Sequence, residues 1–131
     1  MDSEHDVPEH SDDEYTEDYL LYLEGTDAYY RGEFEKALEL LLKSVQLYEH
    51  FKTYERLYSV LYMLNRDDEA FPYIEKSYRM NPRNNKTAVL YAEGLVLQKR
   101  TNEAKVILEA ILQRNAMYGP ARKLLAEIST G

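Results

Sequence analysis

Asp68-Glu69-Ala70, with Ile74 four residues beyond the alanine, is the stretch that decides the fold. The same pattern stands at Glu35-Lys36-Ala37 with Leu41, and at Asn102-Glu103-Ala104 with Leu108. The three alanines are 33 and 34 residues apart. A fixed period of this length marks a chain built from copies of one supersecondary unit, none of which can bury its apolar face alone. The segment before each marker repeats as well. Leu21-x-x-Glu24-Gly25-x-x-Ala28 aligns with Tyr54-x-x-Leu57-Tyr58-x-x-Leu61 and with Ala88-x-x-Tyr91-Ala92-x-x-Leu95.

Outward from these markers the pattern is helical throughout. The first helix reads from about Asp18 to Arg31, with Leu21, Gly25 and Ala28 on one face, and ends at Gly32. The second runs from about Glu33 to Tyr48 and turns Phe34, Ala37, Leu38, Leu41, Leu42 and Val45 inward. The third, from about Phe51 to Leu64, packs with Tyr54, Leu57, Tyr58 and Leu61. Asn65-Arg66-Asp67 makes a turn in which Asp67 is the expected N-cap of the fourth helix, and Asn81-Pro82 ends that helix after Met80. Pro72 inside it predicts a late start or a kink. A fifth helix spans about Asn85 to Gln98, and Thr101 is the expected cap of a sixth that ends near Arg114. Gly119-Pro120 opens a seventh, with Ala121, Leu124, Leu125 and Ile128 on its apolar stripe and Arg122, Lys123 and Glu127 on its polar face. No segment shows the two-residue alternation of a hairpin strand, so the expected class is all-α.

These residues resemble the tetratricopeptide repeat (TPR) family over roughly residues 18–116. The best unit is the second, closing with Tyr78-Arg79-Met80-Asn81-Pro82-Arg83-Asn84, and the stretch from Glu24 to Phe34 also looks like the family's first helix and turn. Glu24 stands where a large apolar residue is usual, Tyr58 fills a small slot, and the third unit ends Asn115-Ala116 without a proline. The resemblance implies a right-handed α-solenoid of three helical hairpins (about 18–50, 51–84 and 85–117) and a capping helix over 118–129, seven helices in all. It also implies a concave groove lined by the first helix of each unit. Residues one step beyond the packing stripe should face that groove: Tyr22, Thr26 and Tyr29; Glu55, Ser59 and Tyr62, with Met63 beside them; and Val89, Glu93 and Val96. Lys52, Arg56 and Lys86 lie near its early turns. Of the 13 tyrosines, Tyr54, Tyr58 and Tyr91 read as core, whereas Tyr22, Tyr29 and Tyr62 read as recognition residues, tyrosine combining large contact area with one polar handle. Family members that hold chaperone C-termini use a Lys and Asn clamp. At the matching places stand Tyr22, Thr26, Arg56, Lys86 and Leu90, of which only Lys86 agrees in type.

Charge divides the chain. Nine of its 24 acids lie in residues 2–18, which hold no Lys or Arg, and the remainder carries 15 acids against 16 basic residues. Residues 1–17 read as a disordered acidic tail on a nearly neutral domain spanning 18–131. The tail is either solubilising or folds over Lys52, Arg56 and Lys86 in competition with ligand. A neutral body without a basic stripe argues against nucleic-acid binding. The chain has no cysteine, no apolar run long enough to span a membrane and no amino-terminal signal pattern, so the expectation is a cytoplasmic protein without membrane insertion. His5, His10 and His50 do not form a metal pair, and no phosphate loop or nucleophile elbow occurs, so neither catalysis, nor a metal, nor a cofactor is expected. The expected function is an adaptor that binds a protein or peptide segment in its groove. The alternatives are a dedicated chaperone for a secreted or aggregation-prone client and a self-assembling scaffold subunit, which leaves a homo-oligomer open.

Overall fold

In the computed structural model, which describes residues 14–130, seven helices follow one another without an intervening strand among the described residues. They are α1 (Glu17–Tyr30), α2 (Phe34–Leu47), α3 (Phe51–Met63), α4 (Asp67–Met80), α5 (Asn85–Leu97), α6 (Thr101–Arg114) and α7 (Gly119–Thr130). Each packs on its neighbours in sequence, and α1 also touches α3 as α5 touches α7. The first helices of the units therefore share one side of the stack. Most of the acidic tail, residues 1–13, lies outside the described residues. Of the remainder, Glu17 already opens α1, and the Tyr15 ring sits 5.3 Å from that of Tyr19.

The three hairpin turns are copies of one another. Gly32, Asn65 and Lys99, again 33 and 34 residues apart, adopt positive φ of 79°, 60° and 65°. Behind each, the next residue's N–H donates to the carbonyl five residues back: Glu33 to Ala28 at 2.8 Å, Arg66 to Leu61 at 2.9 Å, and Arg100 to Leu95 at 2.8 Å. This six-to-one bond with a left-handed residue inside it is the Schellman closure, which satisfies carbonyls the helix end leaves free. It also moves the start of the next helix. Arg66 and Arg100, not Asp67 and Thr101, occupy the N-cap positions of α4 and α6. Their guanidinium groups reach forward to Glu69 and Glu103, with N–O distances of 2.7–2.9 Å. Asp67 and Thr101 become the first helical residues.

Nor does Pro72 delay α4, which runs unbroken from Asp67 to Met80. The proline removes a donor to the carbonyl of Asp68, and both residues are exposed, so water can take that donor's place.

Inside each hairpin the marker residues form the seam. Ala37, Ala70 and Ala104 are fully buried, as are Leu41, Ile74 and Leu108. A Cβ added to Gly25 would lie 2.7 Å from Leu41 Cγ, so α1 and α2 approach as closely as they do only because that position is glycine. Tyr54, Tyr58 and Tyr91 are core residues, as their helical phase implies, and Tyr78 stacks on Tyr91 at 4.6 Å. Two buried serines close the hairpin mouths: Ser44 Oγ–H donates to the carbonyl of Asp18 at 2.7 Å, and Ser77 Oγ–H to that of Phe51 at 2.8 Å. In the third unit Ile111 takes the serine's place, and Arg114 instead donates to Asn85 Oδ1 at 2.8 Å. His50 caps α3, its Nδ1 accepting from the N–H of Lys52.

Candidate functional site

The shared side of the first helices carries a hollow of about 480 Å³. Tyr29 of α1, Tyr58, Ser59, Tyr62 and Met63 of α3, and Leu90, Glu93, Val96 and Leu97 of α5 line it, and Leu124 and Glu127 of α7 close its far end. Tyr62, Met63 and Leu97 remain 48%, 49% and 47% exposed, an unusual density of large side chains facing water from neighbouring turns. The Tyr62 ring stacks on that of Tyr58 at 6.3 Å, so its position is supported from the core.

Of the residues expected in the groove, Tyr29, Ser59, Tyr62, Met63, Glu93 and Val96 meet in this hollow. Tyr22 and Lys52 do not. They line a separate hollow, also of about 480 Å³, at the mouth of the first hairpin with Tyr15, Tyr19, Tyr48 and His50. The tyrosine trio is thus divided between two places. Val89 is buried, because its side chain is used in packing. Between the hollows, the Arg56 guanidinium lies over the Tyr29 and Tyr30 rings at 5.2 and 5.1 Å. Arg56 Nε and Thr26 Oγ1 are buried and lack a hydrogen-bond partner among the described residues. Lys86 Nζ is 3.4 Å from Glu55 Oε2, while Glu55 Oε1 accepts from Thr87 Oγ1–H at 2.8 Å. Glu55 therefore points at the next repeat and neutralises the one residue that agreed in type with a carboxylate clamp.

Leu97, Leu124 and Glu127 complete the hollow and are not among the expected site residues; Tyr58, read from the sequence as core, and Leu90, read only as a mismatch at a clamp position, line it too. In the sequence Leu124 carries a helical signal that reads as packing, and Glu127 reads as the polar face of the cap. Which face α7 turns toward α5 depends on its crossing angle, and periodicity does not encode that angle.

The electrostatics of the hollow are negative. Burial, then the nearby Glu127, pushes the Glu93 carboxyl above the ordinary carboxylate range. Burial raises the Tyr58 phenol, and Glu93 adds to the effect. A larger hollow of about 650 Å³ lies on the opposite, α2 and α4 side. Its polar groups already engage one another: Tyr54 O–H donates to Glu49 at 2.5 Å, and Lys76 Nζ stands 5.2 Å above the Tyr54 ring. Among the described residues no cluster of three or more His, Cys, Asp or Glu could hold a metal ion, and no helix is long and apolar enough to cross a membrane.

The arrangement of hairpins has close counterparts among solved structures. The first TPR of Spaghetti (RPAP3) bound to the HSP90 peptide SRMEEVD superposes with a TM-score of 0.79 at 16% identity, covering 87% of this chain and 91% of that one. The Sgt2 TPR domain from Aspergillus fumigatus gives 0.76 at 16% identity over 88% of this chain and 79% of that one. YrrB, a TPR protein with an unusual peptide-binding site, gives 0.73 at 17% identity over 79% of this chain and 54% of that one. No family model and no curated protein matches the sequence. The chain has the tetratricopeptide-repeat fold, three helical hairpins and a capping helix, as its 33- and 34-residue period predicts.

Proposed function

We propose that this chain is a protein-interaction module that holds a peptide or protein segment in the hollow between α3, α5 and α7. The observation that carries the reading is the cluster of Tyr62, Met63 and Leu97, about half exposed around one concavity and backed by the buried Tyr58. Side chains held on rigid helices need no backbone ordering on binding, and a concavity lets them surround an anchor residue of the partner. The fold supports the same direction: the Spaghetti (RPAP3) domain that shares it holds a peptide. The engagement of Lys86 by Glu55 and of Arg56 by two tyrosines argues against a carboxylate clamp of the kind that would hold a chaperone C-terminus.

The test is selection of peptides from a displayed random library against the purified chain, followed by binding to two variants. Tyr62→Ala combined with Met63→Ala should abolish binding. Leu47→Ala, on the outer side, should leave it intact. Retention by the first variant and loss with the second would move the site out of the groove.

A further inference from the structure

Glu93 of α5 and Glu127 of α7 are the two charged side chains that line the groove hollow. They also share the smaller adjoining hollow with Lys123, which forms no ion pair with either among the described residues. Neither carboxylate has a hydrogen-bond partner among those residues. Lys86 pairs with Glu55, and Arg56 lies over the Tyr29 and Tyr30 rings; neither forms an ion pair with Glu93 or Glu127 among the described residues. The rest of the wall is apolar or aromatic, chiefly Tyr62, Met63, Leu90, Leu97 and Leu124.

Both carboxylates are exposed, so solvent screens part of their mutual repulsion, but two like charges on one wall still disfavour a third of the same sign. The upward displacement of the Glu93 carboxyl, from burial and from Glu127, is the sign of that unfavourable state. A cation entering between them relieves it, whereas an anion would add a third negative charge. Residues 1–13, which hold six acids and no Lys or Arg, are thereby disfavoured as occupant. The same reasoning separates this groove from one suited to an acidic peptide such as SRMEEVD, bound by the Spaghetti (RPAP3) domain.

The geometry points to a cationic, apolar-anchored segment of a partner protein as the groove's ligand, with an apolar side chain among Tyr62, Leu90 and Leu124 and a Lys or Arg between Glu93 and Glu127. This inference rests on the groove being the peptide site and adds the chemistry of the ligand. The acids of residues 2–18 act in the same direction, because a field of one sign raises the encounter rate with a partner of the other.

Three short synthetic peptides test it, sharing the same Leu and Phe positions and carrying Lys, Gln or Glu at the remaining ones. They are titrated into the full chain by amide chemical-shift mapping. The Lys peptide should bind tightest and the Glu peptide weakest, with shifts at Tyr62, Met63, Glu93 and Glu127. The double variant Glu93→Gln, Glu127→Gln should lower affinity for the Lys peptide about fivefold and leave the Gln peptide unchanged. Because the acids of residues 2–18 stay in place, that loss reports on the groove pair alone. If the Glu peptide binds the groove as well as the Lys peptide, or the double variant keeps full affinity, the charge assignment is overturned while the groove reading stands. If no peptide moves the groove amides, or those amides shift with chain concentration while light scattering shows a dimer, the groove reading fails and this inference fails with it.

Discussion

Ala37, Ala70 and Ala104 occupy equivalent places in a seam used three times, and all three are fully buried. Thr26, Ser59 and Glu93 also occupy equivalent places, one helix away, yet they differ in kind, and of the three only Glu93 is exposed. The seam and the groove thus obey different constraints. In the seam every unit solves the same packing problem, so side-chain volume is limited on all sides and the residue types recur. In the groove one side is open, and each unit is free to present a different group. Stability should therefore respond steeply to changes in the seam and weakly to changes in the groove, while binding should show the reverse.

The largest effect is expected at the centre of the seam. Ile74→Ala removes a fully buried side chain between two helices and should destabilise the chain by about 2–5 kcal/mol in urea unfolding. Tyr62→Ala, measured alongside, should shift stability by under about 0.5 kcal/mol. Comparable losses would end the distinction between the two regions. Gly25→Ala comes next. The added methyl meets Leu41 at 2.7 Å in the same seam, and overpacking should destabilise by about 1–3 kcal/mol.

Lys99→Gly sharpens the comparison from the stabilising side. Of the three turn positions at positive φ, Gly32 is already suited and Asn65 tolerates the conformation, but Lys99 carries the full steric penalty. Glycine there should stabilise by about 1 kcal/mol in urea unfolding, and Asn65→Gly by less; a loss at Lys99 would mean that its side chain makes a compensating contact.

The smallest effect belongs to the groove and depends on pH. With its carboxyl raised, folded Glu93 keeps its proton at pH values where the unfolded chain has released it. Its contribution to stability therefore falls as pH rises out of the ordinary carboxylate range, and at neutral pH the charged group is a net penalty. Glu93→Gln removes that penalty and should melt slightly above the parent at pH 7. The gain should stay under about 0.5 kcal/mol, since Glu93 is more than a third exposed and screened by solvent. The gap should close below about pH 4, where both states of the parent are protonated. A variant less stable than the parent at pH 7 would show that the charge is compensated. A gain would mean that the groove keeps a destabilising carboxylate, as sites shaped by binding often do.

The turns show how far the sequence could be read. Gly32 and Asn65 announce left-handed positions by type, and helix boundaries near them are legible within about a residue. Lys99 does not announce one; only its place in the period marks it. The N-caps are hidden for a related reason. Asp67 and Thr101 have good capping side chains, but the Schellman closure places the preceding arginine at the cap, and that bond pairs residues across the turn. Val89 illustrates the same limit in the groove. It sits one step off the stripe, where helical phase suggests exposure, and the packing of the neighbouring helices buries it.

The sequence by itself determined the all-helical class, the number of helices, the phase of each apolar face and the repeat. These depend on local backbone preference and on burial at fixed spacing, and both are written along the chain. Only the tertiary structure decided that Tyr22 and Tyr62 belong to different hollows, that Lys86 is held by Glu55, and that Glu93 and Glu127 share one wall without an ion-pair partner among the described residues. Those relations depend on how whole helices cross, where small differences in side-chain volume summed over a seam turn a neighbouring face toward the groove or away from it.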